Sequence, residues 1–454
     1  MKYFAFCLLL TSLLLSAPVP VRAAQDNETL RLTLPEAVAL ALADNPDIAL
    51  TRHRQQSATA SIKAARGRFL PSLQGNAGSS ENFRQQSSSN GSNEYQNADL
   101  QLTANLNLFN GFADNAGLDA SRQQLQAADA NLQHQRQTLA FTVASRFIAV
   151  LSNDELTQVA AQNLQSQQDL EHQIKAFYKA GVRTVTDFYQ QQAATAQAEF
   201  RLLDARRNLQ VGKLQLLQAL GRAPTTAIEA LPPDTQSLNK KLENLDLAQS
   251  VAQALAARND LRAQQKQIAA ARQQIRVAEA GYLPTLDLQA TGGSSYNNAV
   301  SGGGFAGQLD DNRSVSLGLK LAVPIFDRNQ TRSSVAQARI SAADAASNLL
   351  KLQQQVGLEV GQALADYQRA RQQLTTAGRQ LDYARQALTA SEGRYKVGAA
   401  TWVELSTART TFVQAQGDEV SARYAVLLQG LNIGYSRGDL ELLLQLLTTQ
   451  EKSS

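Results

Sequence analysis

Two stretches of the chain alternate strictly between apolar and polar residues. Between Ala98 and Leu108 every second residue is apolar, and the same pattern runs from Val315 to Val323. Alternation over about ten residues is typical of a β-strand with one apolar face. A shorter alternating run comes before each of these stretches, at 73–77 and at 286–290. A loop is predicted between each shorter run and the stretch that follows it, at 79–97 and at 292–312. The pattern therefore predicts two β-hairpins, at 72–108 and 285–323, with four strands in all.

A very long helix is predicted after each hairpin. From Ala113 to Ala180 the chain has no proline, and apolar residues recur every seven positions, as they do again from Ser333 to Ser391. A repeat of seven predicts helices that pack side by side with a left-handed supercoil. At 1.5 Å per residue, about 68 residues span about 100 Å, far more than the roughly 30 Å core of a bilayer. These helices are therefore expected to project into an aqueous compartment.

The whole pattern is written twice along the chain. Gly181 and Gly398 open predicted turns, or tips, at 181–187 and 398–404, and returning helices are predicted at 185–220 and 402–433. Landmarks recur in the same order, since Phe69-Leu70-Pro71 before the first hairpin returns as Tyr282-Leu283-Pro284 before the second. This duplication predicts a first repeat at 25–221, a proline-containing linker at 222–244 and a second repeat at 245–438. The predicted signal peptide at 1–24 precedes the first repeat, and a predicted C-terminal tail at 439–454 follows the second.

The segment 1–24 has the features of a secretory signal peptide. Lys2 precedes an apolar stretch too short to span a bilayer, and small residues near Ala23 offer a cleavage site. Without Lys2 and Arg22 the formal net charge falls from +4 to +2. A nearly neutral exported chain is not expected to bind nucleic acid. Its abundant alanine and glutamine suit long helices better than a globular core.

The hairpins fit either a half-buried soluble sheet or the wall of a transmembrane barrel. Aromatic residues near both ends of the hairpins and the export signal favour the barrel. Four strands cannot close a barrel, and an open sheet edge in lipid leaves backbone groups unpaired. The chain is therefore expected to associate, because two, three or four copies would supply about 8, 12 or 16 strands.

The duplicated order of hairpin, long helix, glycine turn and returning helix resembles the TolC family of outer-membrane channel proteins. The local sequences that carry the resemblance are Leu34-Pro35-Glu36-Ala37-Val38, Asn45-Pro46, Phe69-Leu70-Pro71, Val323-Pro324-Ile325-Phe326 and Tyr395-Lys396-Val397-Gly398. The resemblance implies a mainly α-helical fold with transmembrane β-strands. It implies a homotrimer with a 12-stranded barrel in outer-membrane lipid, continued by an α-helical tunnel of 12 columns across the periplasm. It also implies docking to a periplasmic adaptor protein and an inner-membrane transporter.

The resemblance further implies a gate at the periplasmic tips. Its candidate residues are those that match the family's closing links and carboxylate ring: Tyr395, Asp187, Thr186, Glu404, Gly181 and Gly398. Two positions depart from the family pattern, since Ala400 stands where an arginine is expected and Thr407 where a second carboxylate is expected. We therefore hypothesise an entrance that opens more easily and selects cations less strongly.

No motif for catalysis, for a cofactor or for a metal ion is present in the sequence, so an enzyme is not expected. The polar strand positions predict a wet barrel lumen lined by Asp99, Gln101, Asn105 and Lys320. Three functions remain open at this point. The first is an exit duct for small molecules such as drugs or metals in a tripartite efflux system. The others are the outer-membrane component of a type I protein secretion system, and a periplasmic coiled-coil spacer or adhesin without a pore.

Overall fold

The computed structural model describes residues 30–85, 92–234, 236–242, 245–299 and 304–447. The signal peptide expected at 1–24 lies outside these ranges. The helices are α1 (Leu34–Asp44), α2 (Pro46–Gly67), α3 (Ala113–Lys179), α4 (Val185–Leu220), α5 (Gln236–Lys241), α6 (Leu247–Ala257), α7 (Asn259–Glu279), α8 (Phe305–Asp311), α9 (Gln330–Lys396), α10 (Trp402–Arg437) and α11 (Leu440–Gln445). The strands are β1 (Leu30–Leu32), β2 (Ser72–Gln85), β3 (Ser92–Asn110), β4 (Ile228–Ala230), β5 (Thr285–Asn297) and β6 (Ser314–Ala322).

Two helices of 67 residues, α3 and α9, set the length of the helical part of the molecule. The shorter helices α2 and α4 pack along α3, α7 and α10 pack along α9, and α3 also contacts α7. The seven-residue repeat of α9 is buried at Ala363, Ala370, Ala377 and Ala384. Because an alanine side chain is small, neighbouring helix axes can approach closely along such a stripe. The helix α10 ends at Arg437, four residues beyond the predicted end at 433.

The four long strands form one antiparallel sheet in the order β2-β3-β5-β6. Leu100 lies opposite Ala77 on one side and Ser294 on the other, which fixes the register of three strands. Apolar side chains share one face of this sheet and are solvent-exposed in the single chain, as at Leu102, Leu317 and Leu319. The sheet thus has one apolar and one polar face, in agreement with the alternation in the sequence.

Both predicted loops contain regular structure. The strand β2 runs to Gln85 and β3 begins at Ser92, so most of 79–97 is strand. The strand β5 extends to Asn297, and the helix α8 fills the end of 292–312. The sequence interpretation is wrong here because ladder hydrogen bonds join backbone groups and therefore form between polar residues as readily as between apolar ones.

The largest apolar core lies midway along the helices, where both repeats meet. Phe147 from α3, Leu216 from α4 and Leu431 from α10 are fully buried there. The three-residue strands β1 and β4 pair in parallel beside this core, joining the start of the described chain to the segment 222–244. The helix α11, which lies in the predicted tail, also packs into this core through buried leucines.

The short helix at the start of each repeat stops at a polar residue that is buried in this core. In the first repeat, the Asn45 amide donates to the carbonyl oxygen of Ala219 at 2.8 Å. In the second repeat, the Arg258 guanidinium donates to the carbonyl oxygen of Ser436 at 3.4 Å. Each side chain therefore ties a helix break to the last turn of the returning helix. Just beyond that turn a left-handed glycine ends the helix, at Gly221 and Gly438.

Candidate functional site

The far end of the helical rod carries two turns with the same backbone geometry. The φ angles of Gly181 and Gly398 are 73° and 76°, a left-handed conformation that favours glycine. Thr184 and Thr401 then cap the returning helices, each accepting a backbone hydrogen bond at 3.2 Å, from Asp187 and Glu404 respectively. The glycine and threonine positions thus determine where each long helix ends and where the next begins.

The two predicted carboxylates occupy equivalent first-turn positions in their helices. A carboxylate there interacts favourably with the helix dipole. Glu404 is exposed and lies 3.6 Å from the guanidinium of Arg394, which also donates to the carbonyl oxygen of Ala399. Asp187 is half-buried, and Thr186 beside it is exposed. The structure therefore places both carboxylates at the tip of the helical rod.

Tyr395 lies beneath an arginine of the other turn. Its side chain is 5% exposed, and its hydroxyl has no hydrogen-bond partner among the described residues. The Arg183 guanidinium stacks 4.3 Å from the centre of the Tyr395 ring and donates to the Tyr395 carbonyl oxygen at 3.3 Å. Burial raises the pKa of Tyr395, with Arg183 opposing the rise and Asp187 adding to it. Tyr395 and Asp187 are therefore electrostatic neighbours that are not hydrogen-bonded.

Arg183 is a tip residue that the sequence interpretation missed, because the family pattern expects an arginine in the second turn. Alignment of Gly181 with Gly398 places Arg183 at the position equivalent to Ala400. Ala400 is buried in an apolar cluster with Leu170 and Leu405. A position-by-position comparison of the two turns is the signal that reveals the arginine in the first turn of this chain.

Further contacts tie the two repeats together behind the tip. Trp402 in α10 donates to the side-chain oxygen of Gln191 in α4 at 3.0 Å. The buried Gln191 in turn donates to the side chain of Gln167 in α3 at 2.7 Å. Arg409 in α10 binds Glu392 at 2.6 Å and the carbonyl oxygen of Ser166 at 2.9 Å. These links hold the ends of four helices in one arrangement.

The predicted lumen residues lie far from the tip, on the polar face of the sheet. Strand pairing puts Asp99, Gln101 and Asn105 on the face that also carries Asp287. Lys320 lies directly opposite Asp287, whose carboxylate also accepts from the Asn107 amide at 2.8 Å. Asp287 is thus a polar-face residue that the sequence interpretation missed. Asp99 lies opposite Ser295, near the end of β5, whereas Lys320 lies opposite Asp287, near its start. The two charges are therefore at opposite ends of the sheet.

Across the described ranges, no group of three or more histidine, cysteine or acidic residues is arranged to hold a metal ion. In the same part of the chain, no helix is both long enough and apolar enough to cross a membrane.

The sequence matches the family described as Outer membrane efflux protein over residues 37–222 and 251–433. Outer membrane protein TolC of Escherichia coli strain K12 is 28% identical over 410 residues, or 87% of this chain and 80% of that protein. Pyoverdine export outer membrane protein OpmQ of Pseudomonas aeruginosa is 23% identical over 396 residues, covering 85% of this chain and 81% of that protein. The solved structure of CusC superposes with a TM-score of 0.77 at 18% identity, over 89% of this chain and 92% of that chain, which shows a shared fold. The chain therefore belongs to the outer membrane efflux protein family.

Proposed function

We propose that three copies of this chain form an outer-membrane exit duct. The observation that carries the proposal is the sheet with two open edges. Within the described residues, β2 and β6 each have a partner on one side only. The apolar face of these strands is exposed, since the exposed fraction is 69% for Leu73 and 75% for Leu317. Pairing β6 of one copy with β2 of the next satisfies the backbone in lipid, and a ring of three such sheets makes a barrel of about twelve strands.

The helices extend this barrel into a tunnel. Each repeat, proposed at 25–221 and 245–438, supplies one long column and one built from two shorter helices, so three chains give about twelve columns. The exposed apolar residues along α3, α4 and α9 then face a neighbouring copy. A tunnel of about 100 Å continues the route from the barrel across the periplasm.

The tip is the proposed entrance and the place where a periplasmic adaptor protein and an inner-membrane transporter dock. The carboxylates of Asp187 and Glu404 are its proposed ring, but Glu404 is paired with Arg394 and Arg183 lies in the same turn as Asp187, so the preference for cations is expected to be weak. The Arg183 contact holds the two turns of one chain together, and so it supplies a closing link in the absence of an arginine at Ala400. Thr407 leaves the ring with fewer carboxylates.

Small molecules are the proposed cargo of the duct. The relative OpmQ is a pyoverdine export protein, which supports the same class of cargo here. The mixed polar lining of the sheet offers no site built for one compound, so the partner transporter is expected to select the cargo.

Single-channel recording of the purified full-length protein in a planar bilayer tests the duct. We expect stable conductance with a weak preference for cations, and Glu404→Gln should reduce that preference while Glu441→Gln, outside the tip, leaves it unchanged. Absence of conductance would overturn the duct in favour of a spacer or adhesin. A deletion strain that lost secreted proteins but kept its resistance to toxic compounds would assign the duct to type I secretion.

A further inference from the structure

The short helix α8 is fastened to the outer half of β5. The Ser294 hydroxyl donates to the carbonyl oxygen of Leu309 at 2.6 Å, and the Asn312 amide donates to the carbonyl oxygen of Ser295 at 2.7 Å. The buried Gln308 side chain accepts from the backbone of Asn297 at 2.9 Å. The rings of Tyr296 and Phe305 meet edge to face, 4.9 Å apart. The helix therefore has a defined position on the sheet.

That position is on the apolar face of the sheet. Ser294 lies directly opposite Leu100, and Gly292 lies directly opposite Leu102. The polar-face residues Asp99 and Gln101 point to the other side, because side chains alternate along a strand. In a barrel the apolar face meets lipid and the polar face lines the lumen. In the proposed barrel, the helix α8 thus lies against the outside of the wall, away from the pore.

Its position along the strand corresponds to the outer boundary of the membrane. Ser294 is nine residues beyond Thr285, where β5 starts. At about 3.3 Å per residue and a tilt of about 40°, Ser294 stands about 23 Å above that start. The apolar band of such barrels is about 25 Å tall. The helix α8 and the aromatic pair beside it therefore lie where outer-leaflet acyl chains meet their headgroups.

A hollow of about 560 Å³ opens beneath α8 on this lipid-facing side. Its floor has small residues on β2 and on β5, separated by a ridge of two β3 leucines, and Leu309 of α8 adds to the lining: Gly75, Ala77 and Gly292 form the low parts, and Leu100 and Leu102 form the ridge. Arg313 lies at the rim, where it is paired with Asp310. The rim is thus polar, whereas the surface of the hollow is mostly apolar.

We propose that this hollow binds one acyl chain of an outer-leaflet lipid in each protomer, with α8 as its cover. The inference rests on the proposed barrel, and three features identify this occupant. The hollow is continuous with the lipid-facing wall, it lies at the depth of the outer-leaflet chains, and its lining is mostly apolar. The hollow is wide open on its lipid-facing side, so a chain can enter it directly from the membrane. The glycine floor lets the chain lie deeper than on the neighbouring leucine-covered wall.

Lipid retention by the full-length protein tests the proposal. The protein is reconstituted in dioleoylphosphatidylcholine vesicles, extracted in mild detergent and analysed by native mass spectrometry, and we expect one retained lipid per protomer. Gly75→Leu and Gly292→Leu fill the floor. A Cβ atom at either position has its nearest neighbour at 3.9 Å, an ordinary contact, so both variants are expected to fold. Retention should fall about tenfold in each, since an inserted leucine occupies the volume of several buried methylenes.

Gly318→Leu is the matched control, because it makes the same change in a strand on the polar face, in open space. It should retain lipid as the unaltered protein does. Equal retention in all variants, equal loss in all variants, or no lipid on the unaltered protein would each overturn the proposal. Conductance, measured in parallel, is expected to stay normal in all three variants. Failure of the lipid site and failure of the duct are therefore distinguishable.

Discussion

The two repeats share a backbone but differ in chemistry at equivalent positions. Both short helices break at a buried side chain that binds the last turn of the returning helix, yet the first uses the neutral Asn45 and the second uses the charged Arg258. At the tips the difference is reversed, since the first turn carries Arg183 and the second carries Ala400. The helix-ending glycines and the lengths of the long helices are thus the same in both repeats, while the polar residues at equivalent positions differ.

Arg258 lies in the helix break that buries charged side chains. It is 7% exposed and binds Asp260 at 2.6 Å and Glu359 at 2.5 Å. In the first repeat the position equivalent to Glu359 is Thr142, so that break has no such charge cluster. The stability of the second repeat is therefore expected to depend on Arg258 and both of its carboxylate partners.

The largest expected effect follows from removing that arginine. Arg258→Ala leaves two carboxylates without their partner in a largely buried site, and should destabilise the chain by about 3–5 kcal/mol. Thermal unfolding in detergent, followed by circular dichroism, measures the loss as a lower Tm. Arg339→Ala is the control, because it removes an exposed ion pair with Glu279 and should change the Tm very little. A Tm equal to that of this control would contradict the buried cluster's importance.

The corresponding change in the first repeat should be milder. Asn45→Ala removes a helix cap and a hydrogen bond to Ala219, and should cost about 1–2 kcal/mol. The same Tm measurement should place it between Arg339→Ala and Arg258→Ala. If Asn45→Ala were as damaging as Arg258→Ala, the proposed difference between the repeats would be wrong.

At the tip, Arg183→Ala removes the stacking contact on Tyr395. A cation–π contact of this exposure is worth about 1 kcal/mol, so the open fraction of the channel should rise about fivefold. Single-channel recording measures that fraction. Arg183→Lys keeps the charge but loses the planar stack, and should give an intermediate value. An unchanged open fraction in Arg183→Ala would show that the contact does not restrain the entrance.

The smallest expected effect concerns acid pH. Burial opposes ionisation of Asp260, but the hydrogen bonds and charge of Arg258 outweigh it and hold the pKa of Asp260 below its ordinary value. A carboxyl whose folded-state pKa is lowered contributes stability that is present above its unfolded pKa of about 3.9 and is lost as the pH falls through the folded value. The Tm advantage of the unaltered protein over Asp260→Asn should therefore shrink below about pH 4. An advantage independent of pH would contradict this assignment.

Local patterns predict most of the fold. The prolines, glycines and capping threonines mark helix ends, so the predicted bounds of α3 and α4 lie within one residue of those found. The strands β1 and β4 escape prediction because each has three residues, and their partners are about 198 residues apart. The helix α8 escapes it because seven residues after a glycine run show no helical period.

The site is less predictable from the sequence than the fold. The tip glycines and the first-turn carboxylates can be found because each belongs to a local turn and cap. The stacking of Arg183 on Tyr395 joins residues 212 positions apart, and no local pattern predicts such a contact. Its detection requires the packing of the two helix pairs, which only the three-dimensional structure supplies.

The equal lengths of corresponding helices fix the length of the rod that they form. The helices α3 and α9 have 67 residues each, and α4 and α10 have 36 each, whereas the two hairpins differ in length. A heptad deleted from one column would leave its neighbours about 10 Å too long. The distance that the rod spans can therefore change only if all columns change together, while the hairpin ends remain free to vary in length.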